Sequence, residues 1–260
     1  EAVSHYEKIE EDLDVEIKEI TKKLIPFNQV WRNHALTEHY FRLSIEAAKN
    51  DIFIASVEYL NLVVGLEDEA LELIDKIEMI TQRDQSLKEE IISGKKIHSF
   101  LQGIAGLASM TNHLIQYIRD GDKKEANKII KKMEKKINEP HLNTNINYIS
   151  SLPLVYLNFI QQLKISFLQK SSLSNSLKKA ETVFEKFMER IITAIMDLLE
   201  GFMVLGEAEL GGDVAVIEHL LENVQTMRVA IYFLPASESK VDVLKEVETL
   251  DFIANSILIQ

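Results

Sequence analysis

The sequence predicts an all-α protein, an elongated antiparallel helical bundle made of two packed helical subdomains. Three observations carry this expectation. Apolar residues recur every three to four positions along most of the chain, the period of a helix with one buried face. Glycine and proline are scarce, 9 and 4 in 260 residues, too few for folds that depend on many tight turns. The periodic segments are long and the junctions between them short, which sets sequential helices antiparallel.

The elements follow in order. Tyr6, Ile9, Leu13, Ile17, Ile20 and Leu24 mark a first helix near 3–25. Ser4 and Glu7 form a capping box at its start, and Pro26 ends or kinks it. A second helix near 28–49 carries Phe27, Val30, Trp31, Phe41, Ile45 and Ala48 on a stripe expected to face the core. Leu36, Tyr40, Leu43 and Ala47 form a second apolar row beside it. Helices near 51–80 and 95–120 come next, with 84–92 as a short extra turn. On the helix near 122–138, Ala126, Ile129, Ile130, Met133 and Ile137 mark the inner face.

The remaining helices are expected near 153–170, 175–210, 213–233 and 238–258. In the second of these, Leu177, Ala180, Phe184, Phe187, Ile191, Ile195, Leu198, Phe202 and Leu205 alternate in steps of 3 and 4. Such a helix runs roughly 50 Å, hence the expected elongation. Asn50–Asp51, Gly121–Asp122 and Gly212–Asp213 share one device: a left-handed residue closes one helix, and an aspartate caps the next. The polar, Asn-rich segment between Pro140 and Pro153 is the expected seam, giving an N-terminal bundle over 1–139, a linker over 140–152 and a C-terminal bundle over 153–260.

Composition narrows the chemistry. Hydrophobic residues make up 46% of the chain, enough for a substantial core. There is no cysteine, which removes disulfides, thiolate nucleophiles and Cys-based zinc or iron–sulfur sites. A net charge of −12, spread over both halves, argues against nucleic acid as a partner. The greasiest region, Leu152 to Leu168, is interrupted by Asn158, Gln161, Gln162 and Lys164, so no transmembrane segment is expected. The chain opens at Glu1 without a methionine, consistent with a removed leader or a trimmed end; the cytoplasm is the favoured compartment.

Two constellations stand out. His34 and Glu38 lie four residues apart on one helix face, in phase with the apolar stripe, where a polar pair needs partners. Their HxxxE spacing resembles part of the ligand set of hemerythrin-like di-iron proteins, which implies a metal site using His34 and Glu38. That family also uses HxxxH, which this chain lacks. The bland alternative is a His–Glu hydrogen bond between helices.

His98 lies in Lys96–Gly106, a segment that resembles the phosphorylated helix of histidine phosphotransfer domains. The resemblance implies phosphotransfer through an exposed His98, although the lysine that follows the histidine in that family is missing here and the spacing is one residue longer. The alternative is a surface histidine on a helix whose Gly103 and Gly106 admit a close neighbour.

Seven lysines crowd the helix near 122–138 and form a solvated face that complements an acidic partner, an anionic surface or the acidic first helix. Glu181, Glu185 and Glu189 form an exposed ridge, and Glu207 and Glu209 point apart. The chain contains no phosphate loop, dinucleotide fingerprint or nucleophile elbow. No cofactor is expected. The function expected is therefore non-catalytic: an adaptor, chaperone-like or regulatory bundle that engages a protein partner, or a second copy of itself, through apolar helix faces.

Overall fold

The computed structural model describes residues 15–80, 88–142, 149–168, 172–207, 214–234 and 238–259. The Ser4–Glu7 cap, the Gly212–Asp213 junction, His5, Glu209 and residues 143–148 of the seam lie outside the described residues. The protein is an all-α helical bundle. Its helices are α1 (Val15–Lys49), α2 (Phe53–Ile80), α3 (Lys88–Arg119), α4 (Lys123–Ile137), α5 (Leu152–Leu168), α6 (Leu173–Glu207), α7 (Val214–Tyr232) and α8 (Glu238–Ile259). Two single turns of 3-10 helix, Pro140–Leu142 and Ile149–Ser151, flank residues 143–148, and no strand occurs among the described residues.

Pro26 does not end the first helix. α1 runs through it as one continuous helix of 35 residues. A proline inside a helix removes one backbone bond and costs about 3 kcal/mol. Here the ring is buried, and α1 packs along α2, the most extensive helix pairing among the described residues. Of the short turn expected over 84–92, residues 88–92 are the first part of α3, and 84–87 lie outside the described residues.

The two described corners share a backbone solution but differ in which residue supplies it. At the α3–α4 corner Gly121 is left-handed (φ 76°), and Asp122 N–H donates back to the Tyr117 carbonyl at 2.8 Å. The Asp122 carboxylate then accepts from Glu125 N–H at 3.0 Å, the expected N-cap. At the α1–α2 corner the left-handed residue is Asp51 (φ 57°) rather than Asn50. Ile52 N–H donates to the Ala47 carbonyl at 2.8 Å, so the turn lies one residue later than expected and Ile52, not Asp51, directly precedes α2. Asp51 pairs with Arg119 instead of capping.

α1, α2 and α3 form an antiparallel trio, shown by its ties: Thr37 to Glu67, Ser44 to Ser56, Ser109 to Asn61 and Asn112 to Ser56. α5 packs on α6, and α7 on α8. The stripe on α6 is buried from Leu177 to Ile195 as expected. One contiguous set of buried side chains includes residues from every helix, α1 to α8. Phe41 links the trio to α7, stacked on Tyr232 at 5.9 Å and edge-on to Phe233 at 4.6 Å. Tyr156 on α5 donates its hydroxyl to the Phe233 carbonyl in the same layer. A smaller cluster of Ile74, Ile77 and Ile91, with Phe27 and Val30 against it, fills the far end of the trio.

Among the described residues no helix is long and apolar enough to cross a membrane. Helix α5, the greasiest stretch, places Leu152, Tyr156, Phe159, Ile160 and Leu163 in the core.

Candidate functional site

Helix α1 turns most of the expected stripe inward, Phe41, Ile45 and Ala48 with Phe27 and Val30, but not Trp31, His34 and Glu38. Its buried row is Asn33, Thr37, Phe41, Ser44, Ile45 and Ala48, with Phe27 and Val30 half-buried above it. Small polar residues occupy inside positions there, so a hydrophobicity pattern places the face about one residue off. Trp31 and His34 consequently lie on the outside, and Glu38 is half-buried at the edge. The His34 ring meets Trp31 edge-on at 6.3 Å.

Glu38 belongs to a charged network rather than to His34. Its Oε1 accepts from Arg42 Nη2 at 3.2 Å and from the Tyr232 hydroxyl at 3.4 Å, and Arg228 Nη1 lies at 4.0 Å. Arg42 also reaches Glu248 at 3.3 Å, and Arg228 reaches Asp251 at 3.2 Å. Burial outweighs the opposing Arg42 charge and, with the Glu38 charge beside it, leaves the Tyr232 phenol above its ordinary value. The network joins α1 to α7 and α8 around a small hollow of about 40 Å³ lined by His34, Glu38 and Arg228 among others. Among the described residues no group of three or more His, Asp or Glu gathers where a metal ion would sit. The carboxylate that a metal would need is occupied by guanidinium groups, which repel a cation.

His98 is buried, 9% exposed, which corrects its expected place on the surface. The helix turns it inward because His98 is in phase with Leu101, Ala105 and Ala108, all buried. Its Nδ1 lies 2.6 Å from Glu67 Oε2, and Glu67 Oε1 accepts from the Thr37 hydroxyl at 3.0 Å. Glu67, 1% exposed, thus bridges α1 and α3 from the centre of α2. Because the Thr37 hydroxyl donates to Glu67, it is not paired with the imidazole as a nucleophile with its base. The arrangement fixes helix register. The Glu67 bond engages Nδ1 and leaves Nε2 as the other ring nitrogen, so what sets His98 apart from the exposed histidine expected is the burial of its ring.

A second polar layer lies further along the trio. Ser44 and Ser56 hydroxyls are 2.8 Å apart, and Asn112 Nδ2 donates to Ser56 Oγ at 2.8 Å. Lys240 closes this region from α8. It is 1% exposed, and its ammonium donates to the Tyr232 carbonyl at 3.0 Å and to the Leu234 carbonyl, capping the end of α7. Burial pushes the ammonium down to about 7, while the two carbonyls work the other way by holding its proton.

The sequence pattern missed Glu67, Thr37, Arg228, Tyr232 and Lys240. For Glu67 a signal existed: Leu60, Val63, Glu67, Ala70, Ile74 and Ile77 run in steps of 3 and 4, with the carboxylate inside an apolar row. Gly103 and Gly106 do admit a close neighbour. A Cβ on Gly103 would come within 2.6 Å of Leu142, and one on Gly106 within 2.7 Å of the Lys136 side chain.

These features define a helical bundle stapled by internal polar layers, a class set by architecture and not by a catalytic signature. No family model matches the chain, and no characterised protein or solved structure is significantly similar to it.

Proposed function

We propose that this chain is a non-catalytic helical-bundle protein, an adaptor, chaperone-like or regulatory module, that acts by docking a protein partner on the outer face of α1. The observation that carries the proposal is Trp31, which is 69% exposed on a long, otherwise well-packed helix. Leu24, seven residues earlier and so on the same face, is also exposed. Tryptophan is the residue most concentrated at binding hot spots, where truncation costs about 2–4 kcal/mol. The buried polar groups support the same reading from the other side. Glu67 bonds to His98 and Thr37 inside the bundle, and Glu38 bonds to Arg42 and Tyr232 with Arg228 near, so a structural role as interhelix ties accounts for these groups.

The test replaces Trp31 with a photo-crosslinking phenylalanine and, separately, with lysine. The crosslinker is expected to trap one protein species, a second copy of this chain or a different partner. Trp31→Lys should weaken that association by at least about 30-fold, at 1.4 kcal/mol per factor of ten, while leaving the thermal melt in place. A chain that yields no adduct at position 31 and stays monomeric by light scattering at every concentration would remove the proposal.

A further inference from the structure

Apart from the α1 face, the molecule carries an open cleft of about 470 Å³ where α2, α3 and α4 meet. Its size falls within the range of small-molecule sites, roughly 300–1,000 Å³. The floor is apolar and half-buried: Val64 from α2, Met110 from α3 and Ile129 from α4. One wall is cationic, supplied by Lys132 and Lys136, with His113 beside them. On the opposite wall Asn61 accepts the Ser109 hydroxyl at its Oδ1 (3.2 Å), which leaves its NH₂ group to donate elsewhere.

We propose that this cleft binds a small organic anion, a carboxylate or phosphate group carried on a short apolar body. Three features of the geometry converge on that chemistry. First, Lys132 forms no ion pair with any acidic side chain among the described residues, unlike Lys128 one turn away, which is paired with Glu125. An uncompensated ammonium at the rim of a partly apolar hollow attracts an anion more strongly than one in open water. Second, Lys136 reaches the cleft because position 106 is glycine: its stem lies across α3 where a Cβ would stand 2.7 Å from its Cε. Its ammonium rests 3.3 Å from Glu139, a part-exposed pair that a better acceptor can replace.

Third, His113 is stacked on Tyr117 at 6.3 Å and held below its ordinary value, first by burial and then by the Lys132 charge. At neutral pH it is a neutral ring with one N–H to donate, and a bound anion would raise its affinity for a proton. The apolar floor asks for more than a bare ion. Inorganic phosphate would leave Val64, Met110 and Ile129 facing water, whereas an alkyl chain covers them.

The experiment follows the His113 ring resonances by NMR while titrating hexyl phosphate, inorganic phosphate and hexylamine into the intact chain. Hexyl phosphate is expected to shift the ring and raise its pKa, with an affinity about tenfold above inorganic phosphate and no matching effect from hexylamine. Lys132→Glu should weaken hexyl phosphate at least about tenfold, and Lys128→Glu, on the same helix but outside the cleft, less than about twofold. Vesicles containing phosphatidic acid distinguish the source of the head group. Lys132-dependent co-sedimentation assigns it to a lipid, and soluble binding without co-sedimentation assigns it to a free metabolite. An unmoved His113 at millimolar hexyl phosphate, an equal response to hexylamine, or equal losses in both lysine variants would overturn the proposal.

Discussion

Two polar clusters occupy adjacent faces of α1, and they solve opposite problems. The inner one, Thr37–Glu67–His98, is closed among three helices, with the carboxylate 1% exposed and bonded on both oxygens. The outer one, Glu38 with Arg42, Arg228 and Tyr232, spans α1, α7 and α8 and is open to water along one side. Removing a partner inside leaves an uncompensated charge in a dry place; removing one outside lets water take over. Burial, more than the number of bonds, separates the group that fixes a register from the one that decorates a joint.

The largest expected effect lies inside. Glu67→Ala removes the bridge and strands Thr37 and His98, and chemical denaturation should show a loss of about 3–5 kcal/mol. If the loss stayed under 1 kcal/mol, the inner cluster would be no different in kind from the outer one.

Lys240 comes next, a buried cation whose ammonium donates to the carbonyl of Tyr232, a member of the outer cluster. In the unfolded chain its ammonium titrates near 10.5, and in the folded protein near 7. Between those values the unfolded state binds more protons, so stability rises with pH. This contribution is complete above about 10.5 and is lost as the pH falls toward 7. Tyr156 and Tyr232 flank this window from above, because burial raises both phenols beyond 10. Equilibrium unfolding from pH 7 to 10 should show a rise of about 2–4 kcal/mol that is absent in Lys240→Met, compared point by point with the parent chain.

Smaller effects belong outside. Glu38→Ala should cost about 1 kcal/mol, since Arg228 keeps Asp251 and Arg42 keeps Glu248. Arg42→Met should cost about 0.5 kcal/mol or less, and that loss should vanish in 1 M salt while the Glu67→Ala loss persists. A salt-sensitive Glu67 effect would erase the distinction between the two clusters.

The same contrast explains what the sequence made legible. The helices, most of their ends and the α6 stripe follow from long runs of apolar residues, a signal that repeats many times and averages out local exceptions. The site did not follow, because α1 buries Asn33, Thr37 and Ser44, which any hydrophobicity pattern assigns to the surface. That shifted the inferred face toward His34 and Glu38. His98 was misplaced for a related reason: α3 packs against α2 on one side and α4 on another, so its buried arc is wider than one stripe. Lys240 carries no local signal at all. Its burial depends on carbonyls at the end of another helix, a meeting that only the tertiary fold creates.

The chain has one tryptophan, and it sits on the outside of the molecule. Its emission in the native protein should therefore already resemble that of an indole in water, leaving little further red shift when the bundle melts. An intrinsic-fluorescence denaturation curve would report events local to α1 and pass over the loss of the core, whose aromatic groups are the tyrosines and phenylalanines around Phe41 and Tyr156. Far-ultraviolet dichroism, or absorbance of the buried Tyr156, is the probe that would follow the fold itself.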